Sequence, residues 1–147
     1  MVQAASQVAA IGHVIQLAIA PVFLLTGVSG LLVVLTNRLA RIIDRARHLE
    51  ERLATAAESR GMTLHKELGL LSRRARLINR AVSLCTVCAL LICTVIITLF
   101  FGAFLATDVS LGIGLLFVAA VLALVTGLVT FLREIDIATR NLRIGVH

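Results

Sequence analysis

The sequence contains neither tryptophan nor tyrosine, and it has a single proline among 147 residues. Aromatic side chains stack on nucleic-acid bases, so their scarcity argues against nucleic-acid binding in spite of a net charge of +6. Charge is scarce as well, since 15% of the residues are charged whereas 59% are hydrophobic. So few charges would not easily cover a water-soluble surface, and the composition therefore indicates a membrane protein.

Three long segments contain no charged residue at all. A membrane-spanning helix needs about 20 mostly apolar residues to cross roughly 30 Å of hydrocarbon, and each of these segments is long enough. We therefore predict an all-α integral membrane protein whose three transmembrane helices cover 14–36, 81–105 and 111–132. The rest of the chain divides into an N-terminal interfacial segment at 1–13, a helical hairpin at 37–80, an external turn at 106–110 and an amphipathic tail at 133–147. Within the turn, Thr107 or Asp108 can cap the helix that follows.

The basic residues predict how the chain is oriented. All 14 lysines and arginines lie in 37–80 or 133–147, with eleven against five acidic residues in the first segment and three against two in the second. Three crossings place both segments on one side of the membrane, and a basic excess is typical of the cytoplasmic side. The N-terminus is then expected outside and the C-terminus in the cytoplasm.

The 37–80 segment carries two apolar seams with the alternating four- and three-residue spacing of a coiled coil. They consist of Leu35, Leu39, Ile42, Ala46, Leu49 and Leu53, and of Leu64, Leu68, Leu71, Ala75, Ile78 and Val82. Gly61 suits a helix C-cap and Thr63 the following N-cap, which predicts an antiparallel hairpin that turns at 59–61. Folding there pairs Ala46 with Ala75 at a narrow waist. A second apolar stripe, with Ile43 on the outgoing helix and Leu70 and Leu77 on the returning one, is expected to be covered by another chain or by the tail helix.

Catalysis, metal binding and cofactor binding find no support in the side chains. Cys85 and Cys88 form a CxxC pair, but they lie inside an apolar span without a histidine or carboxylate nearby. The spans hold no ionisable residue of the kind that proton-coupled carriers use. No nucleophile lies beside a base. We therefore expect no enzyme and assign no catalytic, metal or cofactor site.

Several residues inside the spans are candidates for packing or bending. Pro21 is a candidate kink, although membrane helices also tolerate proline. Small residues recur at Thr26 and Gly30 in the first span, and at Ala119, Ala123 and Gly127 in the third. Such residues allow close helix packing, either within the chain or between subunits. Hydroxyl side chains in the spans either line a polar pathway or bond back to their own helix.

Arginines concentrate where the hairpin meets the predicted membrane. The candidate motif on the outgoing helix is Asn37, Arg38, Arg41, Asp44 and Arg45, and on the returning helix it is Arg73, Arg76 and Arg80. Arg74, at the same height on the returning helix, completes a basic collar. Such a collar suits anionic lipid headgroups. In an oligomer it would instead form an anion-attracting vestibule.

The stretch from His13 to Arg52, with PVFLL at 21–25 and TNRLAR at 36–41 running on to Asp44 and Arg45, resembles a family of small bacterial inner-membrane proteins. That family has three predicted spans and is catalogued as a domain of unknown function. The resemblance implies a bacterial inner-membrane protein and supplies no activity or site residues.

Two functional hypotheses follow. The first is a homo-oligomeric membrane assembly with channel function, because three spans per chain are too few to enclose a pathway. The second is a scaffold or accessory subunit whose cytoplasmic hairpin recruits a protein partner. They differ in whether substitution of Arg38, Arg41, Thr94 or Thr130 alters flux.

Overall fold

Three long helices make up the described part of the chain. The computed structural model describes residues 2–54, 58–105 and 109–142. Helix α1 covers Val2–Ala54, α2 covers Glu58–Leu105 and α3 covers Ser110–Leu142. These ranges contain no strand. The predicted all-helical fold is therefore confirmed, and the caps proposed at Thr107 or Asp108 lie outside the described residues.

Each helix runs through boundaries that the sequence suggested between membrane and water. All three are long and apolar enough to cross a membrane. α1 passes without a break from the predicted interfacial segment through Pro21 and on into the hairpin. α3 likewise continues from the third predicted span into the tail. A multi-pass membrane protein with three spanning helices is thus supported.

The two predicted seams are where the helices bury their side chains. In α1 the positions Leu35, Ile42 and Leu49 are buried, and the alternate seam positions are half-buried. In α2 the seam is buried at Leu71 and Ile78 and half-buried elsewhere. The apolar spacing in the sequence therefore identified the packed faces correctly.

The turn of the hairpin was predicted in the wrong place. α1 ends at Ala54 and α2 already begins at Glu58, so Gly61 and Thr63 lie inside α2 rather than at helix ends. A glycine within a helix costs only about 1 kcal/mol relative to alanine, which continued helix and packing outweigh. The connection at 55–57 lies outside the described residues.

This shift changes the register of the hairpin. With these helix ends, residues whose numbers add up to about 112 are at the same height, so Leu49 is level with Leu64 and Ile42 with Leu71. Ala46 and Ala75 then differ in height by roughly 13 Å, at ~1.5 Å per residue. They line the same groove but do not form the predicted waist.

The chain divides into two compact units. The first comprises Met1–Leu31 and Cys85–Val125, and the second Leu32–Leu84 and Thr126–His147. The first unit has a core of small and medium-sized side chains, with buried positions at Ala18, Pro21, Val28, Cys85, Cys88, Ile92, Val95 and Ala120. Its outer face is apolar, since Phe104 is 80% and Leu111 77% exposed. Such a surface suits lipid hydrocarbon.

Candidate functional site

A fully buried carboxylate joins the three helices of the second unit. Glu134 of α3 has 0% of its surface exposed. The Nε of Arg74, on α2, donates a hydrogen bond to Glu134 Oε1 at 2.9 Å, and its Nη2 lies 2.9 Å from the same oxygen. Arg38, on α1, brings its Nη1 to 3.4 Å from Glu134 Oε2. We call these three residues the Arg–Glu–Arg triad.

An aromatic ring supports the α1 arginine. The guanidinium of Arg38 lies over the ring of Phe131, 5.3 Å from its centroid. Phe131 is three residues before Glu134 on α3, so the ring and the carboxylate hold the same cation from neighbouring positions. The side chain of Arg38 remains 30% exposed and that of Arg74 23% exposed. The carboxylate of the triad is therefore buried, whereas both arginine side chains remain partly accessible to solvent.

The charges of the triad do not cancel. Two guanidinium groups surround one carboxylate, which leaves one positive charge in excess. Glu134 Oε2 accepts no hydrogen bond from the described residues, although Arg38 is close. A buried carboxylate needs cationic partners, and losing them is expensive. This arrangement ties helices together and has no nucleophile or metal-ligand set; the described residues contain no cluster of metal-binding side chains.

The predicted basic residues contribute two members to the triad, Arg38 of the outgoing motif and Arg74 of the collar. The other members of the outgoing motif, Asn37, Arg41, Asp44 and Arg45, are exposed, and Arg41 Nε donates to the carbonyl oxygen of Asn37 at 3.4 Å. On α2, the structure also exposes Arg73, Arg76 and Arg80. The collar stays a prediction as a headgroup site.

Sequence reasoning missed Arg74 and Glu134 as partners, yet a heptad signal marks both. Arg74 continues a buried line on α2 that consists of Ala81, Cys88 and Val95. Glu134 continues a line on α3 that consists of Ala120 and Gly127. A charged residue at the next heptad position of a buried line is a candidate for an internal ion pair.

The candidate positions inside the spans fall on different faces. Pro21 is buried within a continuous helix, while Thr26 and Gly30 are exposed. On α3, Gly127 is buried, Ala123 half-buried and Ala119 exposed. Packing within the chain therefore accounts for the α3 residues better than for the α1 pair. Cys85 and Cys88 are buried and Cys93 is exposed, all as free thiols.

Most of the hydroxyl groups proposed for a polar pathway are bonded to their own helix. Thr94 donates to the carbonyl oxygen of Leu90 at 2.9 Å, and Thr98 donates to that of Thr94 at 2.8 Å. Thr130 donates to the carbonyl oxygen of Thr126 at 2.8 Å. This is the back-bonding alternative that the sequence left open.

A second feature of this unit is an open groove between α1 and α2. Its volume is about 500 Å³, and we call it the hairpin groove. Its lining is small or apolar with a polar rim, formed by Ile42, Ile43, Ala46, Arg47, Glu50, Leu68, Gly69, Leu71, Ser72 and Ala75. At ~100° per residue, Ile43 lies roughly 140° around α1 from Arg38, and Ser72 roughly 160° around α2 from Arg74. The groove therefore opens on the side of the hairpin that α3 does not cover.

A known protein family matches most of the chain. The family described as "Protein of unknown function (DUF2721)" matches residues 18–144. The chain belongs to the DUF2721 family. The match includes the whole triad and the whole hairpin groove, so both lie within the DUF2721 region. Among curated proteins and among solved structures, none matches the chain significantly.

Proposed function

We propose that this DUF2721 protein is a scaffold of the bacterial cytoplasmic membrane that docks a further helix onto its cytoplasmic hairpin. The hairpin groove carries this proposal, because it is an open, largely apolar surface of the kind onto which amphipathic helices dock. Small side chains at Ala46, Gly69, Ser72 and Ala75 let another backbone approach closely. The basic segments favour the cytoplasmic orientation.

The Arg–Glu–Arg triad gives the scaffold its stiffness. It clamps α3 to both helices of the hairpin just beyond the predicted ends of the first and third spans, since Arg38 and Glu134 each follow a span by two residues. A docking surface held in one conformation loses less entropy on binding. The exposed arginines of the collar are proposed to contact anionic headgroups and fix the depth of the hairpin at the membrane.

Photo-crosslinking in living cells tests the docking function. A photoreactive amino acid at Ser72 should yield a specific adduct, because Ser72 lines the groove. The same amino acid at exposed Asp44, outside the groove lining, serves as the control and should yield none. Adding Gly69→Leu should remove the Ser72 adduct by filling the groove. An adduct that is equal at both positions, or insensitive to Gly69→Leu, would contradict the proposal.

A homo-oligomeric channel is the second candidate. The exposed arginines Arg41, Arg45, Arg73, Arg76 and Arg80 favour it, because a ring of them around an oligomer axis would attract anions. Anion flux into liposomes that contain the purified protein is the direct measurement. A channel should lose flux when Arg73 and Arg76 are replaced by glutamine, whereas a scaffold should show no flux above that of empty liposomes.

A further inference from the structure

We infer that the helix docked in the hairpin groove belongs to a second copy of this chain, related to the first by a two-fold axis parallel to the helices. This inference rests on the proposed docking function and names its partner. It concerns the face of α1 and α2 opposite Arg38 and Arg74, and all its residues belong to the second unit.

Two heptad lines flank the groove. On α1 the line is Thr36, Ile43 and Glu50, and on α2 it is His65, Ser72 and Asn79; all six residues are exposed. Ile43, Glu50 and Ser72 line the groove directly. The two lines are offset by three residues in the register of the hairpin, so the pairs Glu50–His65, Ile43–Ser72 and Thr36–Asn79 each differ in height by roughly 4.5 Å.

The membrane restricts how a second copy can approach. Both copies insert with the same orientation, so a two-fold axis that relates them must run along the membrane normal and hence along the helices. Rotation by 180° about such an axis leaves heights unchanged and brings the α1 line of one copy opposite the α2 line of the other. We call the two lines the α1 wall and the α2 wall. Each of the three pairs then comes together twice across the interface, with the same small difference in height.

The charges favour this pairing over its alternatives. Glu50 comes within roughly 6 Å in height of His65 and Lys66 of the other copy, and Arg47, which also lines the groove, is level with those two residues. If α2 instead faced α2, the exposed Arg73 and Arg76 would meet their own counterparts, and like charges at an interface are unfavourable. The α1-to-α2 arrangement keeps Arg73 and Arg76 away from their own counterparts and places Glu50 near Lys66.

Polar and apolar groups on the two walls also match. Ile43 is 44% exposed and would insert beside Ser72 and Gly69 of the second copy, where no large side chain obstructs it. The Thr36 hydroxyl already donates to the Leu32 carbonyl oxygen at 2.8 Å, so its oxygen is left to accept from the Asn79 amide of the second copy. The resulting four-helix core would have an α3 on each outer side.

Gly69 provides a variant that separates folding from association. A Cβ built at Gly69 meets nothing within 4 Å, so a methyl group fits there, and Gly69 lines the open groove into which a larger side chain would extend. Gly69→Leu should keep or raise the melting temperature, because leucine is the better helix former. The same change should reduce the dimeric fraction at least ~10-fold by blocking the groove. Gly69→Ala is the matched control and should leave the dimer intact.

Two measurements decide the matter. In lipid nanodiscs prepared directly from membranes, the native mass should be that of two chains, and Gly69→Leu should give the mass of one chain.

Disulfide crosslinking is the second measurement. In cells that express two differently tagged chains, one with Ile43→Cys and one with Ser72→Cys, mild oxidation should join the two tags. Neither chain can form that disulfide alone. Arg41→Cys with Ser72→Cys is the negative control, and the chains without added cysteines are the blank for the native thiols.

The outcomes distinguish this inference from the docking function. Co-purifying tags without the 43–72 disulfide, or a dimer unaffected by Gly69→Leu, would overturn the inference. A monomeric native mass combined with a Ser72 photo-adduct of some other protein would also overturn it, and would leave the docking function standing. A monomer with no Ser72 adduct would overturn both.

Discussion

At the scale of single residues, Glu134 distinguishes this chain from a simple apolar bundle. A buried charge is tolerated only with partners, and here those partners come from both other helices. Arg38 receives further support from the ring of Phe131. The triad selects one packing of α3 on the hairpin, because sliding α3 by one helical turn would separate the carboxylate from both arginines.

Glu134→Gln keeps the shape of the side chain and removes its charge. We expect it to destabilise the fold by about 3–5 kcal/mol, because two partly buried guanidinium groups lose their counterion. The measurement is the unfolding free energy in detergent micelles during titration with a denaturing detergent. Glu67→Gln, which alters an exposed carboxylate of the same unit, should stay within about 0.5 kcal/mol of the wild type.

Replacing all three residues of the triad tests whether the loss in Glu134→Gln comes from leaving the arginines without a counterion. Arg38→Leu, Arg74→Leu and Glu134→Leu combined should be less destabilising than Glu134→Gln alone, because no charge is then left without a partner. If the triple variant were the least stable of the series, the triad would stabilise the fold by more than three leucines in its place.

At the scale of the helices, the turn of the hairpin is the element that sequence reasoning placed wrongly. Gly61 lies inside α2, and a Cβ added there meets nothing within 4 Å. Gly61→Ala should therefore stabilise the protein by roughly 0.5–1 kcal/mol. If Gly61 were the predicted left-handed C-cap, the same change would be destabilising. Gly69→Ala is the control, because position 69 is helical in either case, and thermal melting of both variants gives the comparison.

The helices could be predicted from sequence to a large extent. Uncharged runs identified the spans, and the alternation of four- and three-residue spacing identified the buried seams, because both are local patterns. The turn could not be placed in the same way. Glycine commonly marks the end of a helix, and only tertiary packing shows that the small free-energy cost of Gly61 inside α2 is outweighed. The triad was also out of reach, because Arg74 and Glu134 are 60 residues apart and spacing along one helix does not identify a partner on another.

At the scale of the whole molecule, the orientation in the membrane rests on the basic segments and is open to a labelling test. Met62 is 71% exposed near the tip of the hairpin, and Ser110 begins α3 at the opposite end of the spans. In spheroplasts, a membrane-impermeant maleimide should label Ser110→Cys at once and Met62→Cys only after permeabilisation. The protein without added cysteines is the blank. The reverse order of labelling would refute the proposed topology.

The proposed dimer and a larger ring of subunits differ in whether they could conduct ions. Two copies joined through their hairpin grooves would bury the α1 and α2 walls against each other and place each α3 outside. The arginines of the collar would then surround a packed helical core. The proposed dimer therefore favours the scaffold over the channel, and a ring of four or more subunits would reverse that preference.

The triad also has a consequence for biosynthesis. Arg38 precedes Glu134 by 96 residues and Arg74 precedes it by 60, so both arginines leave the ribosome well before their carboxylate exists. At about 5–20 residues per second, Arg38 waits roughly 5–20 s for its counterion. The first two helices are therefore made while both arginines still lack this counterion, which α3 supplies only once it has been translated. Until then the nascent chain is a two-helix intermediate, and translation of α3 is the step that completes the fold.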